Sequence, residues 1–175
     1  IAAFVISSVM VAQPPKENRI PMLGEPAPTF TAMTTQGEIT FPLDYLGKWK
    51  ILFSHPADFT PVCSTEILDL AEMANEFGEL NTQLVVLSTD GLNSHLDWIK
   101  SLEGIQKDDG KEVGIDFPLV PDVGLKISSQ YGMIHPGMST TNTIRGVFII
   151  SPEDQICAMF FYPNTTGRNL EEIKR

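Results

Sequence analysis

The chain has 175 residues, 42% of them apolar and 19% charged, which suits one soluble domain with a closed core. A formal net charge of −10 argues against nucleic acid and anionic membrane as partners, since both attract basic patches. Two cysteines, Cys63 and Cys157, are too few for the disulfide framework of a small secreted domain. The three histidines (His55, His95 and His135) are scattered, and no Cys/His cluster has zinc-ligand spacing, so no metal is expected.

In chain order, residues 1–12 carry no charge and end at a small residue, Ala12. A polar segment from Gln13 to Asn18 follows and reads as a linker, so residues 1–19 form an apolar leader set apart from a domain over 20–175. The leader is too short to span a bilayer. It is similar to the apolar part of a secretory signal, without the positive start, and the alternative is an ordinary element packed on this domain or a partner. Phe30–Thr34 and Glu38–Phe41, separated by Gln36-Gly37, predict a hairpin. Lys48-Trp49-Lys50 opens an apolar strand through Ile51-Leu52-Phe53. A turn with two prolines, Pro56 and Pro61, leads to a helical pattern with Ile67, Leu68, Leu70, Ala71, Ala74 and Phe77 on one face.

Gln83–Thr89 is a continuous apolar strand of the kind buried on both faces. Asn93-Ser94 caps a helix through about Leu102, and Glu103–Gly114 reads as a charged surface loop. Phe117–Asp122 is extended, Val123–Tyr131 is helical and closed by Gly132, and Met133–Asn142 is a loop. Arg145 leads the strand Val147–Ile150, a turn at Ser151–Asp154 joins it to a second strand over Ile156–Tyr162, and Asn169–Arg175 begins a helix. This order predicts an α/β fold with a mixed sheet.

Cys63 sits where the turn becomes a helix. The free N–H groups of a first helical turn carry partial positive charge, so a thiolate is favoured there. Ser64 and Thr65 suit a helix start, and Glu66 favours its first turn. Thr60, three residues before Cys63, can bring its hydroxyl toward the sulfur across the turn. Pro56 and Pro61 remove backbone donors and stiffen the turn. On position alone, a small buried structural cysteine is as good a description.

The segment Pro56-Ala57-Asp58-Phe59-Thr60-Pro61-Val62-Cys63 resembles the peroxidatic signature of peroxiredoxins, Pro-x-x-x-Thr-x-x-Cys. With His55 before it and Ser64-Thr65-Glu66 after it, it is most similar to the one-cysteine, peroxiredoxin-six-like branch of the AhpC/TSA family. The similarity runs from about Ile20 to Arg175, including the lead-in Gly24-Glu25-Pro26-Ala27-Pro28. It implies a thioredoxin-like three-layer fold with a mixed central sheet and peroxiredoxin insertions, with the family's C-terminal domain not part of this chain.

It also implies a thiol-dependent peroxidase that reduces hydrogen peroxide and organic hydroperoxides through a sulfenic acid at Cys63. A thiolate is a soft nucleophile suited to attack on oxygen, and donors fixed near the leaving oxygen lower the barrier. By the resemblance, Arg145 in Arg145-Gly146-Val147-Phe148-Ile149 holds the thiolate and polarises the peroxide; without it, Arg145 reads as a solvated strand-end charge. Thr60 and Pro56 belong to the same catalytic set. Glu66 either orients Arg145 or only favours the helix start. His55 either tunes Cys63 or packs. Arg168 matches a second family arginine. No role falls to His95 or His135, and Cys157, in an apolar strand, is expected to be buried and inert.

No cofactor is implied. The expected partners are the hydroperoxide and an external thiol reductant of thioredoxin, glutathione or small-thiol type. Large apolar residues on both faces of Ile156–Tyr162, expected at a sheet edge, predict a homodimer that some relatives close into rings. The family resemblance implies a cytoplasmic protein; a signal remnant at Ile1–Ala12 would instead imply export. Among other functions, a thiol–disulfide oxidoreductase lacks its second cysteine in Cys63-Ser64-Thr65-Glu66, a cysteine hydrolase has only His55 nearby, and a binding or chaperone-like domain would make Cys63 structural.

Overall fold

The computed structural model describes residues 20–103, 105 and 113–175. The leader 1–19 and most of the loop expected over 103–114 lie outside the described residues.

The hairpin consists of β1 (Phe30–Thr34) and β2 (Gly37–Phe41), paired antiparallel with Phe30 opposite Phe41. The main sheet has five strands: β3 (Trp49–Ser54), β4 (Thr82–Ser88), β5 (Leu119–Pro121), β6 (Arg145–Ile150) and β7 (Ile156–Tyr162). Their order is β5-β4-β3-β6-β7. β3, β4 and β5 run parallel, whereas β6 runs antiparallel to β3 and β7 antiparallel to β6. The helices are α1 (Pro61–Glu72), α2 (Ala74–Glu79), α3 (Leu92–Glu103), α4 (Lys126–Gln130) and α5 (Leu170–Lys174).

Strand alternation divides the core into two layers. Successive side chains on a strand point to opposite faces, so Ile51 and Phe53 of β3, Leu84 and Val86 of β4, and Val147 of β6 share one face. They pack with Cys63, Ile67 and Leu70 of α1, Phe77 of α2, Trp98 of α3 and Ile173 of α5. Leu52, Val85, Leu87, Phe148 and Ile150 face the other way and meet Phe30, Phe41, Ile127 and Tyr131. Both faces are covered, giving the three-layer α/β arrangement expected.

Two boundaries and one burial depart from the sequence expectation. The cysteine helix begins at Pro61, two residues earlier, because proline's fixed φ and missing N–H suit a first helical position. The predicted helix over Val123–Tyr131 contracts to Lys126–Gln130. Leu125 takes a left-handed φ of 57°, and Asp122 caps the amides of Lys126, Ile127 and Ser128. Cys157 is exposed rather than buried: β7 is a sheet edge, and there an apolar sequence does not imply cover on both sides. Among the described residues, no helix is long and apolar enough to cross a membrane.

Candidate active site

The site is built where β3 ends and α1 begins. Phe59, at a left-handed φ of 56°, turns the chain so that Thr60 enters α1 as its extended N-cap residue. A non-glycine residue in this region costs roughly 1–2 kcal/mol, which the surrounding bonds must offset. They do so from across the sheet. Asn142 Nδ2 donates to the Pro56 carbonyl at 2.7 Å and Thr143 Oγ1 to the His55 carbonyl at 2.6 Å. Ser54 Oγ donates to the Ile144 carbonyl at 2.7 Å and accepts from Gly146 N–H at 2.8 Å. The Pro56 turn is thereby fastened to the start of β6.

Cys63 is the third residue of α1 and fully buried, at 0% exposure. Of the first helical positions, Pro61 has no N–H, and the amides of Val62 and Cys63 have no acceptor one turn back within the helix. The Ser64 amide is satisfied by the Thr60 carbonyl at 2.9 Å. Thr60 Oγ1 donates to the Ala57 carbonyl at 3.1 Å. Its proton is thus engaged, and the hydroxyl offers lone pairs to any further partner.

Arg145 is the first residue of β6. Alternation puts it on the same face as Val147, toward α1, and it is only 2% exposed. Its Nη1 donates to Cys63 Sγ at 3.3 Å and to Glu66 Oε2, while Nε and Nη2 donate to the Asn164 carbonyl at 3.2 and 3.0 Å. Arg168 holds Glu66 from the other side. Its backbone N–H and Nε donate to Oε1 at 2.7 and 3.0 Å, and Nη2 donates to Oε2 at 3.0 Å. Its Nη1 donates to the carbonyls of Ser54 and Gly146 at 2.8 and 3.0 Å, and its guanidinium lies over the Phe53 ring.

Cys63, Arg145, Glu66 and Arg168 therefore meet in one buried cluster, two guanidiniums sharing one carboxylate. Burial by itself would raise the Glu66 carboxyl; the hydrogen bonds and charge of Arg168, with the charge of Arg145, hold it below its ordinary value. Glu66 is ionised at neutral pH, and the cluster keeps a surplus positive charge next to Sγ. Such a charge is costly inside a protein unless an anion balances it. The arrangement therefore favours an anion on the Arg145 side of the cluster, where Sγ lies.

The loop holds a second polar group that sequence reasoning missed. Asp58 is buried and accepts from His55 Nε2 at 2.9 Å, from His95 Nδ1 at 2.9 Å and from Ser94 Oγ at 2.7 Å. His95, given no role from sequence, is fully buried on α3. His55 lies against Trp98, ring centroids 5.0 Å apart, and Trp98 Nε1 donates to Ser64 Oγ at 3.3 Å. Asp90 Oδ2 accepts from the Asp58 amide at 2.9 Å and from Ser88 Oγ at 3.0 Å. One potential ligand atom each of His55, Asp58 and Asp90 lies within 4.8 Å of the others, but their hydrogen bonds tie them into a protein network. No motif spacing links Asp58 to His95, 37 positions away; the only sequence signal was a histidine on the helix expected from Asn93-Ser94 to about Leu102. His135 stands apart, with Nε2 3.2 Å from the Gly132 carbonyl oxygen and its ring near Phe161.

Comparison with known proteins defines the class. The profile of the AhpC/TSA family matches residues 23–159. The chain is 51% identical over 157 residues to a peroxiredoxin of Methanosarcina mazei, covering 89% of this chain and 72% of that protein. It is 47% identical over 158 residues to a peroxiredoxin of Aquifex aeolicus, covering 89% and 68%. Among solved structures, a peroxiredoxin 6 of Arenicola marina superposes with a TM-score of 0.80 at 34% identity, over 88% of this chain and 70% of that one. A yeast mitochondrial one-cysteine peroxiredoxin, described as resolved through glutathione and thioredoxin systems, gives 0.79 at 35% identity, over 89% and 74%. The chain belongs to the AhpC/TSA family, the peroxiredoxins. It is a thiol-dependent peroxidase on a thioredoxin-like fold, of a family that draws its electrons from thiol reductants.

Proposed function

We propose that Cys63 is the peroxidatic nucleophile, that Arg145, Thr60 and Pro56 form its catalytic surroundings, and that Glu66, Arg168 and His55 support them. The observation that carries this reading is the Arg145 Nη1 to Cys63 Sγ contact, made inside a cluster with one more guanidinium than carboxylate. Sγ attacks one oxygen of the hydroperoxide and the O–O bond breaks. The leaving oxygen takes a proton and departs as water or an alcohol, while the sulfur, oxidised by two electrons, becomes a sulfenic acid. Arg145 and the first-turn amides of Val62 and Cys63 bind the oxygens as charge develops. Thr60, its own proton engaged by Ala57, accepts from the peroxide O–H. Pro56, its carbonyl held by Asn142, fixes the wall of the turn.

The sulfenic acid is then reduced by an external thiol. That thiol attacks the sulfur, water leaves, and a second thiol releases the mixed disulfide. Cys157, exposed on the edge strand β7, takes no part in this scheme. A homodimer paired through Ile156–Tyr162 and a cytoplasmic setting complete the reading; export is the alternative tied to residues 1–12.

The test is oxidation by one equivalent of hydrogen peroxide followed by mass analysis of the peptides. One oxygen should be found on Cys63 and none on Cys157, and Cys63→Ser should abolish peroxide consumption while Cys157→Ser retains most of it. Comparable oxidation of both cysteines, or comparable loss in both variants, would overturn the assignment.

A further inference from the structure

A guanidinium carries five N–H donors in one rigid plane, so fixing two of them fixes the aim of the rest. In Arg145, Nη1 faces Cys63 Sγ and Glu66, one hydrogen for each. Nε and one Nη2 hydrogen converge on a single main-chain oxygen, the Asn164 carbonyl, at 3.2 and 3.0 Å. A carbonyl oxygen has two lone pairs and can accept both. The second Nη2 hydrogen has no partner among the described residues.

The place of that carbonyl follows from the sheet. Arg145 pairs with Tyr162 across β6 and β7. β7 ends at Tyr162, and Pro163 opens a turn with Asn164 and Thr165 at its centre. The Thr166 N–H closes this turn on the Pro163 carbonyl at 3.0 Å. The turn therefore starts beside Arg145 and brings the Asn164 carbonyl onto its guanidinium. Further on, the Arg168 backbone N–H ties the same segment to Glu66 at 2.7 Å. The Asn164 side-chain Oδ1 is buried without a hydrogen-bond partner, so the contact with Arg145 is made by the main chain.

We propose that Asn164 is a positioning residue for the peroxidase reaction: its main-chain carbonyl grips Nε and Nη2 of Arg145, so that Nη1 stays on Cys63 Sγ and the remaining Nη2 hydrogen is left for an oxygen of the peroxide. The inference rests on the role given to Arg145 above. Glu66 holds the guanidinium through Nη1 alone and would let it swing about that contact. The carbonyl removes this freedom before peroxide arrives, and donors fixed beforehand need no reorganisation as charge develops on the oxygens. A carbonyl also bears no net charge. It orients the guanidinium without cancelling the positive charge that Sγ meets, whereas a second carboxylate in its place would cancel it.

The test changes one backbone atom in the whole chain. Replacing Thr165 by the corresponding α-hydroxy acid turns the peptide after Asn164 into an ester, which makes its carbonyl a weaker acceptor and keeps every side chain. Oxidation of Cys63 by hydrogen peroxide should slow roughly fivefold, a part of what a hydrogen bond to a charged group contributes. The same ester in an Arg145→Ala background should cost less than about twofold more, because its effect runs through Arg145. In protein carrying isotopically labelled arginine, the Arg145 Nε–H resonance is assigned by its loss in Arg145→Ala. It should exchange slowly with water in wild type and move upfield in the ester protein, as the bond to Asn164 weakens.

An unchanged rate in the ester protein, an undiminished loss in the Arg145→Ala background, or a rapidly exchanging Arg145 Nε–H in wild type would each overturn the proposal. If the ester protein fails to fold, the wild-type exchange rate decides. Peroxide consumption that survives Cys63→Ser would sink the peroxidase assignment itself, whereas its loss there beside an unchanged ester rate sinks only this proposal.

Discussion

The Arg145 guanidinium donates to Cys63 Sγ at 3.3 Å across 82 positions of sequence. The same nitrogen also meets Glu66, so the group facing the sulfur is held from behind by a carboxylate. Arg145→Ala should slow oxidation of Cys63 by roughly a hundredfold, the usual loss of one fixed donor at a site of developing charge. Arg145→Lys should recover little, because one ammonium cannot reach Sγ, Glu66 and the Asn164 carbonyl together. Stopped-flow fluorescence of the tryptophans reads the rate; a loss below about threefold in Arg145→Ala would remove the role.

Glu66 is the only carboxylate in contact with both guanidiniums among the described residues. Glu66→Gln would leave two buried positive charges facing each other. Breaking a buried pair in this way typically costs roughly 3 kcal/mol or more. Urea unfolding of wild type and variant measures it, and a difference within about 0.5 kcal/mol would mean that the charges are balanced elsewhere.

Acid should weaken the fold in two stages. The folded His55 resists protonation, burial being the main cause, so stability is full above its ordinary value of 6.5 and declines as pH falls below it. Glu66 and Asp58 are depressed in the folded state. Their contribution is present above ordinary values of 4.5 and 3.8 and is lost as pH falls through the folded values. Urea midpoints should therefore drop between pH 7 and 5 and drop further toward pH 3. His55→Gln should flatten the first stage and leave the second; an unchanged slope between pH 7 and 5 would contradict this.

The edge strand β7 predicts assembly. Its outer backbone is unpaired within the main sheet, and Cys157 lies exposed on it. Light scattering should give at least twice the 19.3 kDa of one chain. Cys157→Lys places like charges at the junction and should return the mass to that of a monomer while peroxide reduction continues. A wild-type mass of one chain over a wide concentration range would end the idea.

The layers of the fold were legible because β3 and β4 alternate without interruption, so Ile51 and Phe53 sort to one face and Leu52 to the other. Cys63 was legible as a helix-start cysteine, and the offset of two residues came from treating Pro61 as part of the turn rather than the first helical residue. Arg145 was found by family resemblance alone; composition and spacing described it equally well as a surface charge. Asp58 and His95 were not legible, because their contact depends on how α3 docks over the Pro56 turn. Cys157 was misjudged although its strand was expected at a sheet edge: hydrophobicity along a strand does not say which of its faces is covered.

The pairing of β3 with β6 sets Phe53 opposite Val147, and from that register Arg145 comes to face α1. A slip of one residue would turn Arg145 to the opposite layer, away from Cys63. On the proposed assignment, reactivity toward peroxide arrives only with completed folding. A nascent or half-unfolded copy would then carry no cysteine set apart from an ordinary one.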